Sequence, residues 1–352
     1  MRIALVSDAW APQVNGVTRT LRATAAELER RGHALETITP DQFATLPCPT
    51  YPDIRLAIGC GASVRRRLDA GGADAIHIAT EGPLGWAARR WCLSRGVPFS
   101  TSFHTRFPDY LAMRTGLSAD LFWPLVRRFH APAAAIMAAT DSLADELAAR
   151  GLPQTRRWSR GVDLTLFAPG TAPLPALAGL PRPLQLHVGR LAVEKNVAAF
   201  LTSTVPGTKV VVGDGPDRAR LEQQFPDAIF LGALHGTDLA AAYAAADVLV
   251  FPSRTDTFGL VMIEALASGV PIAGFPVPGP LDIIGPAGRG PGDRAGRRIG
   301  AIDPDLSRAI GQALSADPAA CAAEGRRYSW SHCTDQFVDA LCPVPDRRAL
   351  VA

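Results

Sequence analysis

Residues 247–269 read DVLVFPSRTDTFGLVMIEALASG. The opening, from Asp247 to Pro252, is a short apolar run that suits a parallel strand covered on both faces. Arg254-Thr-Asp-Thr breaks it. From Phe258 the apolar residues return at helical spacing, with Thr257 placed to cap and Gly269 then Pro271 placed to stop. A helix start presents N–H donors and the positive end of a dipole, so the amides of Gly259, Leu260 and Val261 make a seat for a phosphate. Glu264 lies one turn on, on the same face, and leans back towards that seat. A carboxylate there repels the phosphate but accepts hydrogen bonds from neutral hydroxyls such as those of a ribose, and Asp256 can do the same for a second polyol. One phosphate seat between two hydroxyl acceptors describes a nucleotide-sugar site. Capping of the helix by Asp256 and Thr257, with Glu264 in solvent, is the competing account of the same residues.

Working outward, the strand at 184–188 runs into GRLAVEKN, where Arg190 and Lys195 occupy a strand-to-helix loop and can neutralise a diphosphate. Lys195 and Lys209 are the only lysines in a chain that otherwise uses arginine. A strand at 209–212 ends in Gly213-Asp-Gly-Pro, a turn whose glycines permit close approach, and residues 228–232 form another strand before a helix at 237–246. The Gly-, Pro- and Arg-rich stretch 274–300 reads as a mobile surface loop. Asp303-Pro-Asp305 stands before a helical run and is read as a cap, not a metal site.

The N-terminal half repeats the pattern. Strands at 2–8 and 33–39 flank a helix at 18–31, the opening of a doubly wound sheet. In the connecting loop, Asn15-Gly16 suits a tight turn of positive φ, and Gly16 is open to an anion or a sugar at the helix start. The loop lacks GxGxxG, which argues against a dinucleotide enzyme. Strands at 75–79 and 99–103 follow, so that Asp8, Glu81 and His104 share the carboxyl edge where open α/β sheets bind ligands. His104 is the candidate for chemistry. A strand at 133–139 and a helix at 141–150 complete the half, and the Pro-, Ala- and Gly-rich residues 168–183 read as a linker. Two α/β domains result, 1–167 and 184–330, with their ligand edges facing an interdomain cleft and a terminal segment at 331–352.

The 352 residues are enough to bury two such cores. No apolar span is long enough to cross a bilayer and no signal peptide opens the chain, so it reads as cytoplasmic. The six cysteines form no CxxC pair and suggest neither zinc nor disulfides. A net charge of +3 is too small to argue for nucleic acid. It is uneven, however: residues 1–170 carry 20 basic and 15 acidic residues, the remainder 16 and 18. With Arg65-Arg66-Arg67, the pairs Arg89-Arg90 and Arg127-Arg128, and Trp86, Trp91 and Trp123 nearby, the first domain reads either as docking on an anionic membrane or as packing these aromatics inside with its arginines solvated.

SDAWAPQVNGVTRTL (7–21), ATEGPLGWAARR (79–90), SFHTRFPDY (102–110), RGVDLTLFAP (160–169), VGRLAVEKN (188–196), VGDGP (212–216) and DTFGLVMIEALASG (256–269) resemble, in that order, the motifs of the GT-B retaining glycosyltransferases of family 4. The branch they are most similar to contains bacterial glycolipid α-mannosyltransferases, glycosyldiacylglycerol synthases and the plant sulfoquinovosyl transferase. That resemblance implies transfer of a hexose from a UDP-hexose or GDP-mannose to a lipid acceptor, with no metal or other cofactor. It also implies that Arg190 and Lys195 bind the donor diphosphate, Glu264 the ribose, and the backbone from Phe258 to Val261 sugar and phosphate. Gly16 would approach the diphosphate and His104 would sit beside the donor sugar, while the last helices would cross back to the first domain. One departure stands out: the family pairs two glutamates with seven residues between them, and here the first acid is Asp256, shorter by about 1.5 Å. A GT-B nucleotide-sugar epimerase and a non-catalytic nucleotide-sugar-binding scaffold are the competing readings.

Overall fold

The computed structural model describes residues 1–13, 15–48 and 51–345. Val14, in the loop expected to meet ligand, and residues 346–352, the end of the expected terminal segment, lie outside them. The chain forms two compact units, residues 1–159 with the segment from Trp330 onward, and Arg160–Ser329.

The first unit contains β1 (Arg2–Val6), β2 (Ala34–Ile38), β3 (Thr45–Cys48), β4 (Tyr51–Ala57), β5 (Ala75–Ile78), β6 (Ser100–Ser102), β7 (Ala135–Ala138) and β8 (Thr155–Arg157). Its helices are α1 (Gly16–Arg30), α2 (Gly61–Gly71), α3 (Pro83–Arg95), α4 (Phe107–Thr115), α5 (Trp123–His130) and α6 (Asp141–Ala149). Six strands pair in parallel in the order β2-β1-β5-β6-β7-β8, and β3 and β4 form a separate antiparallel hairpin. Ile3 to Val6 are all buried, the continuous apolar run of a strand covered on both faces. Asn15 departs from the expected tight turn. Its backbone is extended, φ −152°, and its side chain accepts from the Thr18 amide at 2.9 Å, so it is the cap of α1 and Gly16 the first helical residue.

Trp91 and Trp123 are buried, as the packed-inside reading has them and not the membrane-facing one, and half-buried Trp86 packs edge-on against Phe129. Long apolar faces at 3.6-residue spacing are core faces first. Arg67 is likewise engaged, with Glu36 and Gln42, and Arg65 lies 3.7 Å from Asp69.

The second unit contains β9 (Leu184–Val188), β10 (Thr208–Val212), β11 (Ile229–Gly232), β12 (Val248–Phe251), β13 (Ile272–Gly274) and β14 (Gly300–Ile302). Its helices are α7 (Val197–Leu201), α8 (Arg218–Gln224), α9 (Gly236–Ala245), α10 (Leu260–Ala267), α11 (Pro280–Ile284), α12 (Leu306–Ala313) and α13 (Pro318–Gly325). All strands are parallel, in the order β11-β10-β9-β12-β13-β14. The order reverses between β9 and β12, and the crevice beyond the carboxyl ends of such a strand pair is where open α/β sheets hold ligands.

Two stretches read as loose are built in. Within 168–183, Leu177 is buried, the Leu174 amide donates to the Ala241 carbonyl at 3.0 Å, and Arg182 pairs with Asp247 at 2.9 Å. This run belongs to the second unit rather than linking two domains, and the units divide after Ser159 rather than at 167. The stretch 274–300 carries α11, whose Ile283 and Ile284 are fully buried. A Cβ on Gly288 would lie 2.1 Å from the Gly300 carbonyl oxygen, so its glycine serves close packing, not mobility. After the second unit, α14 (Trp330–Ala340) supplies buried Cys333 and Phe337 to the first unit's core beside Leu5, Leu28 and Trp158.

Candidate functional site

Arg190 and Lys195 follow β9, and Asp256 to Glu264 follow β12, so the reversal of strand order makes neighbours of two loops about sixty residues apart. Side chains tie them together. Lys195 Nζ contacts Asp256 Oδ1 at 2.5 Å, Asn196 Nδ2 donates to the Pro252 carbonyl at 3.2 Å, and Ser253 Oγ donates to the Glu194 carbonyl at 3.3 Å. Asn196 takes a left-handed backbone, φ 53°, which ends the short turn carrying Lys195 and opens α7. Arg190 is exposed. Its loop is braced from behind by the 212–216 turn: a Cβ on Gly213 would lie 1.8 Å from the Gly189 carbonyl oxygen, and one on Gly215 2.3 Å from that of Leu191.

The helix start differs from expectation in one respect. Gly259, at φ 91°, is the residue before α10, and Thr257 lies two positions earlier and does not cap it. A side chain at 259 would meet Met262 and Phe251 at 2.8 and 2.9 Å, so only glycine fits where the first-turn amides of Leu260 and Val261 emerge. Phe258 is buried edge-on against Tyr328, with ring centroids 6.0 Å apart.

Glu264 is buried, neither in solvent nor at the rim, and its Oε2 accepts from the Tyr243 hydroxyl at 2.9 Å. Tyr243 comes from α9 and was not singled out in the sequence, where it reads only as a core aromatic. Around Asp256, three buried polar atoms have no hydrogen-bond partner among the described residues: Asp256 Oδ2, Thr255 Oγ1 and His187 Nε2. Burial pushes the His187 imidazole down to about 4, so it is neutral. Its Nδ1 lies 3.2 Å from the Val250 carbonyl, which can only accept, leaving Nε2 as a lone-pair acceptor. A histidine inside the short strand Leu184-Gln-Leu-His-Val was the signal for it in the sequence. Lys209, the other lysine, donates at 2.6 Å to the carbonyls of Leu201 and Ser203 at the end of α7 and is a helix-terminal brace. Asp305 Oδ1 accepts from the Ser307 amide at 2.9 Å, as the capping reading requires. Among the described residues no group of three or more His, Cys, Asp or Glu is placed to hold a metal, and none of the six cysteines is in a disulfide.

In the first unit the expected edge residues take different parts. Asp8 is buried and accepts from the Leu84 and Gly85 amides at 2.9 and 3.2 Å, so it serves the start of α3. Burial outweighs those bonds and raises its carboxyl to about 6. Glu81 lies 3.0 Å from Nε2 of buried His130. His104 is buried at the end of β6, its Nε2 2.8 Å from Ser102 Oγ and its ring edge-on to Trp158. Gly16 stands exposed at the first position of α1.

Residues 14–166 match the family described as Glycosyltransferase Family 4, and residues 182–314 that described as Glycosyl transferases group 1. The GDP-mannose-dependent alpha-mannosyltransferase of Mycolicibacterium smegmatis is 33% identical over 316 residues, covering 82% of this chain and 84% of that protein. The sulfoquinovosyl transferase of Arabidopsis thaliana is 31% identical over 254 residues, 68% of this chain and 50% of that one. Among solved structures, the sucrose-phosphate synthase of Thermosynechococcus elongatus superposes with a TM-score of 0.74 at 21% identity, over 96% of this chain and 97% of that one. Anabaena HepE in complex with UDP and glucose gives 0.67 at 17%, over 96% and 98%. Both units thus match the same class of enzyme in the same order, and the chain belongs to glycosyltransferase family 4, with the GT-B fold of a retaining transferase that takes a hexose from a nucleotide sugar.

Proposed function

We propose that the enzyme transfers mannose from GDP-mannose, with retention, to a lipid-linked acceptor at the cytoplasmic face of a membrane. The donor is suggested by the mannosyltransferase relatives, and the lipid by others named as a sulfoquinovosyl transferase and, in Streptococcus pneumoniae, an alpha-monoglucosyldiacylglycerol synthase. The single observation that carries the site assignment is the seam between the loops after β9 and β12. It joins a cation, an acid with one unpartnered oxygen and the start of α10.

In this reading Arg190, Lys195 and the amides of Leu260 and Val261 bind the diphosphate and stabilise the charge that grows on it as the bond to the anomeric carbon breaks. Glu264, held by Tyr243, accepts from the ribose hydroxyls. Asp256 both orients Lys195 and offers its second oxygen to a sugar hydroxyl. From the first unit, Gly16 meets the diphosphate and His104 the donor sugar. The acceptor hydroxyl attacks from the face the diphosphate leaves, forming the new C–O bond while its proton passes to a donor phosphate oxygen. Exposed Arg66, Arg90, Arg127 and Arg128 support docking on an anionic bilayer, which delivers the acceptor.

The test is turnover of GDP-mannose against UDP-glucose and UDP-galactose, with vesicles of diacylglycerol and of monoglycosyl diacylglycerol as acceptors. Mannosyl lipid with an α linkage is expected. A product made only from a UDP-sugar, or only on a soluble polyol, overturns the assignment of donor or of acceptor respectively.

A further inference from the structure

Strand β6 is Ser100-Thr101-Ser102, three polar residues fully buried in the middle of a parallel sheet. Buried hydroxyls need partners, and two histidines supply them. Thr101 Oγ1 lies 2.8 Å from Nδ1 of His130, while Ser100 and Ser102, which alternation puts on the other face, both meet His77 of β5. His77 Nδ1 is 2.9 Å from Ser100 Oγ, and its Nε2 is 3.2 Å from Ser102 Oγ. Ser102 Oγ is in turn 2.8 Å from His104 Nε2 and 3.2 Å from the Ala79 carbonyl oxygen. Four side chains therefore form one buried line that ends at His104.

Proton counting fixes the His104 end of that line. Each serine has a single hydroxyl proton and a carbonyl oxygen in reach that only accepts, Ala79 at 3.2 Å from Ser102 Oγ and Ile76 at 3.4 Å from Ser100 Oγ. His77, fully buried with its pKa lowered to about 3, is neutral and carries one ring proton. That proton goes either from Nε2 to Ser102, with Ser102 donating to Ala79 and Ser100 to Nδ1, or from Nδ1 to Ser100, with Ser100 donating to Ile76 and Ser102 to Nε2. Each arrangement leaves one carbonyl contact unmade, and in both the Ser102 proton is already used, so His104 Nε2 is the N–H donor to Ser102 Oγ. Trp158 packs edge-on to both rings, with centroids 5.8 Å from His77 and 5.4 Å from His104, and Phe337 lies 4.9 Å from His77, so the surroundings are apolar.

We propose that Ser102, itself held by His77, is a positioning residue that fixes His104 as its Nε2–H tautomer and so makes Nδ1 the ring's acceptor nitrogen. The claim rests on the reading of His104 as a donor-sugar residue only for its effect on turnover; the tautomer follows from the buried line alone. A neutral ring with Nδ1 as acceptor can take a hydrogen bond from a sugar hydroxyl, and cannot donate one through that atom.

Two readouts separate the parts. In the full-length enzyme labelled with 15N-histidine, the His104 ring is expected to show a protonated Nε2 and a pyridine-like Nδ1, assigned against His104→Ala. A proton on Nδ1 overturns the proposal whatever the activity. With the nucleotide sugar the enzyme turns over, Ser102→Ala is expected to lower kcat on the order of ten- to a hundredfold with donor KM nearly unchanged, because a ring that is slightly misplaced is costly. Ser102→Thr, which keeps the hydroxyl, is expected to restore most of that rate. Unchanged kcat in a folded Ser102→Ala, beside an inactive His104→Ala, refutes positioning, as does a Ser102→Thr no better than Ala. Full turnover in His104→Ala removes the donor-sugar reading and the positioning role with it, while leaving the tautomer result standing.

Discussion

Lys195 shows how one contact changes what a substitution measures. Its partner is Asp256, whose remaining oxygen is buried without a partner among the described residues, so removing the lysine costs the proposed diphosphate ligand and also leaves an acid without its cation. Charge-assisted hydrogen bonds contribute roughly 1.5–3 kcal/mol, so Lys195→Ala is expected to reduce kcat/KM at least tenfold to a hundredfold in steady-state assays, with the fold intact by circular dichroism. Asp256→Glu adds a methylene between the backbone and a carboxylate already in contact with Lys195. The expected outcome is an altered ranking of nucleotide sugars with little change in melting temperature; equal loss with every donor would leave Asp256 only the task of holding Lys195. Asp8 gives a prediction about pH. Its carboxyl is raised from 3.8 to about 6 by burial, so the native state prefers the protonated form. The stability it contributes is fully present below 3.8 and is lost as pH rises through about 6. Carboxyl 13C shifts should titrate for Asp8 with a midpoint near the raised value; a midpoint near 3.8 would mean that the amides of α3 offset its burial completely.

At the scale of elements, the loop carrying Arg190 is stiff because another element is packed against its backbone. Gly213 sits at φ 140° with its would-be Cβ 1.8 Å from the Gly189 carbonyl oxygen, backbone against backbone. Gly213→Ala cannot be absorbed by a rotamer change. It is expected to destabilise the protein by about 2 kcal/mol or more and to weaken donor binding together with stability, read from melting temperature with and without nucleotide. Loss of stability with unchanged nucleotide response would show that the turn braces the fold but not the site. The glycine-rich character of this turn was visible in the sequence, and so was its use for close approach. Which backbone it approaches was not, because that depends on β9 and β10 pairing from Thr208↔Leu184 to Val212↔Val188.

On the scale of the molecule, the first unit is discontinuous in sequence: α14 brings Phe337 and Cys333, both fully buried, into a core that begins at Ile3. Phe337→Ala should therefore cost about 3–5 kcal/mol, and a chain ending at Ser329 should fail to give a cooperative thermal transition for the first unit. Among the described residues no helix is long and apolar enough to cross a membrane. In the proposed docking on a bilayer, with Trp91 and Trp123 buried, the exposed arginines are the groups that would carry it. Flotation with liposomes should require anionic lipid and weaken as salt rises, in keeping with screening over about 8–10 Å. Binding that ignores salt would point instead to the exposed leucines Leu117, Leu121 and Leu125.

The sequence by itself determined the alternation of strand and helix, the identity of the β9 and β12 loops as polar interruptions after apolar runs, and the family, because each of these is written in local spacing. It placed Gly16 at a helix start and read Asp305 as a cap, since capping is decided within three residues. It misjudged 168–183 and 274–300, where proline and glycine look the same in a free loop and in a tightly packed one. Only the tertiary structure decided that Glu264 is buried under Tyr243, that Lys195 is paired with Asp256, and that His104 ends a line begun at Ser100. Those contacts join residues 21, 61 and, across strands, 23 positions apart. No local propensity sets them; they follow from the order in which parallel strands pair, and that order is chosen by burying both faces of each sheet at once.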